Sequence, residues 1–165
     1  MKNRISENRK VTLTIGQLRR LVRESIQNDE NFEIEDGVLI EYRGQGGDVV
    51  IPNGVMKIGN YAFEDCVVIK SVTIPNSVTS IGERAFRGCD NLTSITIGNG
   101  VTSIGDRAFD FCGFMSVTIP DSVTRIGWGV FGNCDNLKTI YVANEDQEKM
   151  LYDSDLRPSI EVVVK

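Results

Sequence analysis

"VTSIGERAFRGCDNLTSITIGNG" (residues 78–100) is followed at once by "VTSIGDRAFDFCGFMSVTIPDS" (residues 101–122). Both phrases open on V-x-x-I-G-x-x-x-F-x-x-C. The same pattern starts at Val55, Val78, Val101 and Val123 and closes on Cys66, Cys89, Cys112 and Cys134, at offsets of 23, 23 and 22 residues. The residue missing from the third unit falls just after Cys112. A half-unit stands ahead of the array, where "VVIPNG" from Val49 matches "VTIPNS" from Val72.

Behind each cysteine runs a second pattern, L-x-x-L-x-L, carried by Ile69/Val72/Ile74, Leu92/Ile95/Ile97, Phe114/Val117/Ile119 and Leu137/Ile140/Val142. Apolar residues alternate there with Ser and Thr, and β-branched residues dominate, which is the pattern of a strand with one buried face. Pro75 and Pro120 then remove an N–H from the ladder and end the strand. Val78 and Ile81 point inward from the next segment, and Ala85, Phe86 and Cys89 are spaced for a short helical turn against the same core. One such unit cannot bury these groups alone. Stacked units bury them in columns, strand on parallel strand at about 4.8 Å. A period of 20–29 residues with this strand pattern is that of a leucine-rich repeat.

The phrase "VTSIGERAFRGCDNLTSITI" and its sister copies resemble the BspA-like (Treponema pallidum type) leucine-rich repeats, over about residues 49–142. The flanks "FEIEDGVLIEYRGQGG" and "YVANEDQEKMLYDSD" resemble the ends of such arrays. The resemblance implies a protein-binding scaffold, of a kind found on bacterial surfaces. The expected fold is therefore an α/β solenoid of about four full coils, with a parallel β-ladder, short helical turns on the other side and capped ends.

An open solenoid exposes core at both ends and needs caps. Residues 31–48 read as the leading cap, a hairpin with strands at 32–35 and 38–42 around an Asp36-Gly37 turn. Residues 143–165 read as the trailing cap, with Asn144 as the N-cap of a helix near 145–152 and a strand at 160–164. Residues 1–30 form a basic arm. Thr14 and Gln17 fit a capping box there, ahead of an amphipathic helix over about 14–28 with Ile15, Leu18, Leu21, Val22 and Ile26 on its apolar stripe. A helix this short is marginal alone, so Leu18, Leu21, Val22 and Ile26 are expected to pack on a protein surface, either their own solenoid or a second copy, with Arg19, Arg20 and Arg23 largely off the stripe.

Charge divides the chain. Residues 1–23 carry seven basic side chains and one acid, giving +6, whereas residues 24–165 carry 11 basic and 22 acidic, giving −11. The body repels nucleic acid, and only the arm could attract it. The sequence contains no histidine, which removes the commonest general base and most catalytic zinc sites. The reading is of a non-enzyme that needs no cofactor. No apolar run approaches the ~20 residues of a membrane-spanning helix, and no apolar leader follows the N-terminal basic residues, so a cytoplasmic location is expected.

The four cysteines invite a metal or disulfide reading. One equivalent position per coil puts them in a line, which cannot close a tetrahedron, and their parallel Cβ vectors leave the Cβ atoms too far apart for a bridge. They read as buried small residues. The "RGQGGD" at 43–48 lacks the Gly-Lys-Ser/Thr and the helix of a phosphate loop. The residues that break the repeat are more informative. Trp128 stands where sister coils carry Asn60, Glu83 and Asp106; Phe111 replaces Asp65, Gly88 and Asn133; and Tyr141 replaces Thr73, Thr96 and Thr118. Large aromatics at otherwise small or polar positions mark contact surface. With the row Thr73, Thr96 and Thr118 they make the expected interaction face of a non-enzymatic protein-binding module. The alternative is a nucleic-acid-associated or regulatory protein acting through the arm.

Overall fold

A computed structural model of the chain describes residues 13–18 and 30–165. Leu21, Val22, Ile26, Arg19, Arg20 and Arg23 lie outside these residues, as does most of the arm. In the described part Thr14 N–H donates to Gln17 Oε1 at 2.9 Å and Gln17 N–H to Thr14 Oγ1 at 3.2 Å. This box opens a helical turn at residues 15–18, whose Ile15 and Leu18 are exposed.

The body is a β-solenoid of about six turns with parallel sheets on two faces. One face carries six rungs: β3 (Gly47–Val50), β5 (Ile69–Thr73), β7 (Ser94–Thr96), β9 (Ser116–Thr118), β11 (Thr139–Val142) and β12 (Glu161–Val164). They pair as β3-β5-β7 and β9-β11-β12, in a register that stacks Val72 on Ile95 and Ile140 on Val117 and Val162. The opposite face is a second sheet of two-residue rungs, β4 (Lys57–Ile58), β6 (Ser80–Ile81), β8 (Ser103–Ile104) and β10 (Arg125–Ile126). An antiparallel hairpin of β1 (Phe32–Glu35) and β2 (Val38–Tyr42) joins its edge, with Leu39 opposite Ile58.

The fold departs from the expected one in two respects. The array has about six coils, not four, because strand Gly47–Val50 and strand Glu161–Val164 each extend the ladder by a rung although neither belongs to a complete copy of the phrase. The segments opposite the strands are not helical turns. In "ERAFRGC" alternate amides bond in different directions. Arg84, Phe86 and Gly88 donate up to Asp106, Ala108 and Asp110 carbonyls of the next coil at 2.8–2.9 Å, while Arg87 and Cys89 donate back to Arg84 and Phe86. A helix would turn every amide back on its own segment. The alternation is made possible by left-handed residues at two fixed places per coil: Tyr61, Arg84, Arg107 and Gly129 at the first, Asp65, Gly88, Phe111 and Asn133 at the second.

The inward columns form one continuous core. Val78, Ile81, Ala85, Phe86, Cys89 and Leu92 are all buried, as are their counterparts Val101, Ile104, Ala108, Phe109 and Cys112. The rings stack coil on coil. Tyr42 of the hairpin lies 5.0 Å from Phe63, and the line continues to Phe86 (4.7 Å), Phe109 (5.5 Å) and Phe131 (5.7 Å). The only helix among the described residues of the body, Glu145–Asp153, is N-capped by Asn144 Oδ1, which accepts from Gln147 N–H at 3.0 Å. After it, Gly129 N–H donates to Ser154 O at 2.7 Å, and Asp155 takes the left-handed place of the next coil (φ 67°). The C-terminal segment thus completes a sixth coil.

Candidate functional site

The left-handed corners place side chains where a regular helix would not. At the first place Arg84 (φ 51°) and Arg107 (φ 52°) sit one coil apart on the same edge of the solenoid. At the second, Phe111 adopts φ 57°, a region that Gly and Asn enter easily and a bulky ring does not. Trp128 is set one position earlier in its coil, its backbone N–H bound to Asp106 Oδ1 at 2.9 Å. The offset lays its indole beside the arginine of the coil below.

Each aromatic on this edge carries a guanidinium from a neighbouring coil. Arg107 lies 4.9 Å from the Trp128 ring centre, Arg87 5.7 Å from Phe111 and Arg84 5.8 Å from Tyr61. Between them runs a groove of about 450 Å³ walled by Arg84, Arg87, Arg107, Phe111, Trp128 and Arg157, with Asp110 and Asp155 as its acids. Trp128 and Phe111 are 51% and 43% exposed, so their rings form wall rather than core.

The four arginines are not equivalent. Arg87 donates to Glu64 Oε1 at 3.1 Å, and its Nε stands 3.6 Å from Asp110 Oδ2. Asp110 is buried and also accepts from Asn133 Nδ2 at 2.9 Å. Arg157 donates to Asp135 Oδ1 at 3.2 Å and to the carbonyl of Cys134. Arg84 and Arg107 make no side-chain hydrogen bond to a described residue. The nearest carboxylate to Arg84 is Glu83 at 3.7 Å, beyond hydrogen-bond reach, and Arg84 Nε is buried without an acceptor. The Arg107 guanidinium rests on Trp128 and makes no ion pair with a described residue.

The structure does not gather all the proposed contact residues. Trp128 and Phe111 share the groove. Tyr141 lies on the strand face, opposite Thr118 in the ladder, half-buried beneath Lys165 Nζ at 4.1 Å. Thr73 and Thr96 border a separate depression together with Asn53, Asn76 and Asn99. Of the contacts expected from the arm, Leu18 is exposed, and Leu21, Val22, Ile26, Arg19, Arg20 and Arg23 fall outside the described residues. Reading residue by residue missed Arg84, Arg87, Arg107 and Arg157. A signal was present for two of them: Arg84 and Arg107 repeat at one place in successive coils, where the outer coils carry Tyr61 and Gly129.

The cysteines stand in a line through the core. Cys89, Cys112 and Cys134 thiols donate to the carbonyls of Phe63, Phe86 and Phe109 at 3.2, 3.2 and 2.9 Å. Burial, with nearby carboxylates adding to it and, at Cys89 and Cys112, neighbouring thiols as well, pushes all three thiols up, Cys134 to about 12, so they stay protonated at neutral pH. All four cysteines are free.

The sequence pattern of the BspA type leucine rich repeat region, in six copies, matches residues 47–156. No curated protein matches the chain. Solved structures do. A leucine rich repeat protein of Treponema pallidum is 28% identical with a TM-score of 0.52, over 63% of this chain and 62% of that one. A leucine rich cell surface protein of Faecalibacterium prausnitzii is 29% identical with a TM-score of 0.65, over 81% and 38%. A leucine-rich repeat protein of Bacteroides capillosus is 32% identical with a TM-score of 0.53, over 68% and 93%. The chain thus spans less than two thirds of the length of the first two. The repeat, its solenoid and these likenesses agree: the chain belongs to the BspA-type leucine-rich-repeat family.

Proposed function

We propose that this chain is a non-enzymatic protein-interaction scaffold that meets its partner at the groove edge. The supporting observation is the exposed Trp128 in one groove with Phe111, each with an arginine over its ring, on a body whose other aromatic rings are mostly in the core stack. Trp and Arg are among the residues that most often anchor interfaces: the indole offers large flat area at low entropic cost, and the guanidinium a planar fork of donors. The rigid coils hold them without further ordering, which lowers the cost of association. Tyr141 and the threonine row, on the strand face, form a second and flatter surface.

The test is capture of protein from the native host on immobilised protein at 0.15 M and 0.5 M salt. A partner retained at both salts by the wild type and lost with W128A/F111A supports the groove; equal retention by that variant overturns it. The second reading rests on the +6 charge of residues 1–23. It predicts polyanion binding that collapses with salt and disappears when residues 1–28 are removed.

A further inference from the structure

We propose that the groove receives an acidic peptide segment, with neighbouring carboxylates seated on Arg84 and Arg107. This rests on the reading of the groove as the contact surface and names the chemistry of what it contacts.

The charge of the groove runs against that of the body. Four arginines face two aspartates there, on a body with a net charge of −11. Two of the arginines are already hydrogen-bonded, Arg87 to Glu64, and Arg157 to Asp135 and the Cys134 carbonyl. Arg84 and Arg107 are not. They occupy the same place in adjacent coils, which puts their origins about one rung, ~4.8 Å, apart. Each lies against an aromatic ring, Tyr61 or Trp128. A guanidinium over a ring keeps its terminal N–H groups for another partner, and that planar pair matches a carboxylate bidentately; at Arg84 only the terminal nitrogens can serve, because Nε is buried. Two such pairs a rung apart suit two carboxylates from neighbouring residues of one peptide.

A nucleic acid fits the same pair less well. It brings one charge about every 1.7 Å of duplex and engages a continuous basic track, whereas only two guanidiniums here lack a hydrogen-bonded partner and the surrounding body is acidic. A short peptide delivers two charges locally and passes the acidic flanks as neutral backbone.

Trp128 is the single tryptophan of the chain, so its emission reports on this groove alone. The experiment titrates the full chain with end-capped hexaglutamate, hexalysine and a six-nucleotide oligothymidine, following Trp128 emission at 0.15 M salt. The comparison variant is R84N/R107N. Asparagine tolerates the left-handed backbone of both sites, so the variant removes charge without straining the corners. We expect hexaglutamate to change the emission saturably, R84N/R107N to weaken that binding by at least about tenfold, and the other two probes to produce no saturable change. A flat titration with hexaglutamate, equal affinity in R84N/R107N, or tighter binding of the oligothymidine would each overturn the proposal. If hexaglutamate fails while W128A/F111A still abolishes protein capture, the groove remains the contact surface and only its acidic ligand is wrong. If W128A/F111A also leaves capture intact, the groove reading falls with it.

Discussion

At the scale of single residues, Phe111 and the buried thiols show what stacking imposes. Phe111 holds φ 57° where sister coils place Asp65, Gly88 and Asn133. A left-handed conformation costs an ordinary side chain about 1–2 kcal/mol, and the half-exposed ring recovers about 0.5–1 kcal/mol from Arg87. Strain wins, so F111N should stabilise the fold by about 0.5–1 kcal/mol and raise Tm by a few degrees. A lower Tm in a calorimetric scan would show that the ring packs better than its exposure implies. The thiols give a pH signature. Their folded values lie above the ~8.5 of an unfolded cysteine, so the unfolded state loses these protons first. Their contribution is complete below about pH 8.5 and is lost as pH rises toward 12, the folded value of Cys134. The slope approaches ~1.4 kcal/mol per pH unit for each buried thiol. Urea midpoints measured from pH 7 to 10 should fall in this window, and the fall should be shallower in C134A. An identical slope in C134A would mean that this thiol ionises as easily folded as unfolded.

At the scale of elements, the C-terminal helix does the work of a missing coil. Gln147 is buried, and its Nε2 donates to the carbonyls of Pro120 and Val123 at 2.8 and 3.0 Å, while its Oε1 accepts from Ala143 N–H at 2.9 Å. A side chain here satisfies buried backbone groups that would otherwise face the closed end unpaired. Q147L keeps the volume and removes these bonds, and should cost about 2–3 kcal/mol in urea denaturation. A loss under ~0.5 kcal/mol would mean that water replaces the amide. Leu151 on the same helix is fully buried, so the element is held by packing as well as by its asparagine cap.

At the scale of the whole molecule, one absent residue divides a sheet. Sister coils place three steps between cysteine and the first strand residue, as from Cys89 to Leu92; the third coil places two, from Cys112 to Phe114. The strand face consequently breaks between Ser94–Thr96 and Ser116–Thr118, while the opposite sheet runs on unbroken from Ser103–Ile104 to Arg125–Ile126. Phe114 fills the shortened turn edge-on to Phe109 and Phe131, at 6.1 Å from each. The break is visible in one amide. Ile51, Ile74 and Ile119 N–H donate across to Thr73, Thr96 and Tyr141 carbonyls at 2.8–3.0 Å, and Ile97 N–H makes no such bond. In native-state hydrogen exchange Ile97 should therefore exchange at least about tenfold faster than Ile74. Equal protection would place an unbroken ladder across the third and fourth rungs.

The period, the inward columns and the strand that follows each cysteine are legible in the sequence, because every coil must match its neighbours and so repeats its apolar positions. That is why Phe86, Phe109 and Leu92 could be assigned to the core before any coordinate. The sequence under-read the number of coils, because strands Gly47–Val50 and Glu161–Val164 belong to no complete copy of the phrase and gain their place only by pairing with the rung beside them. It misread "ERAFRGC" as helical, because the spacing of Ala85, Phe86 and Cys89 fits one helical turn as well as two linked left-handed corners; the choice is made by carbonyls of the next coil, 22 residues away. The groove was least legible of all. Trp128 and Phe111 announced themselves by breaking the repeat, but Arg84 and Arg107 look like ordinary surface charge until two things are known: that their corners are left-handed, and that Trp128 sits one place earlier in its coil. Only stacking in three dimensions brings that offset to bear, by laying the indole over an arginine that the chain places 21 residues before it.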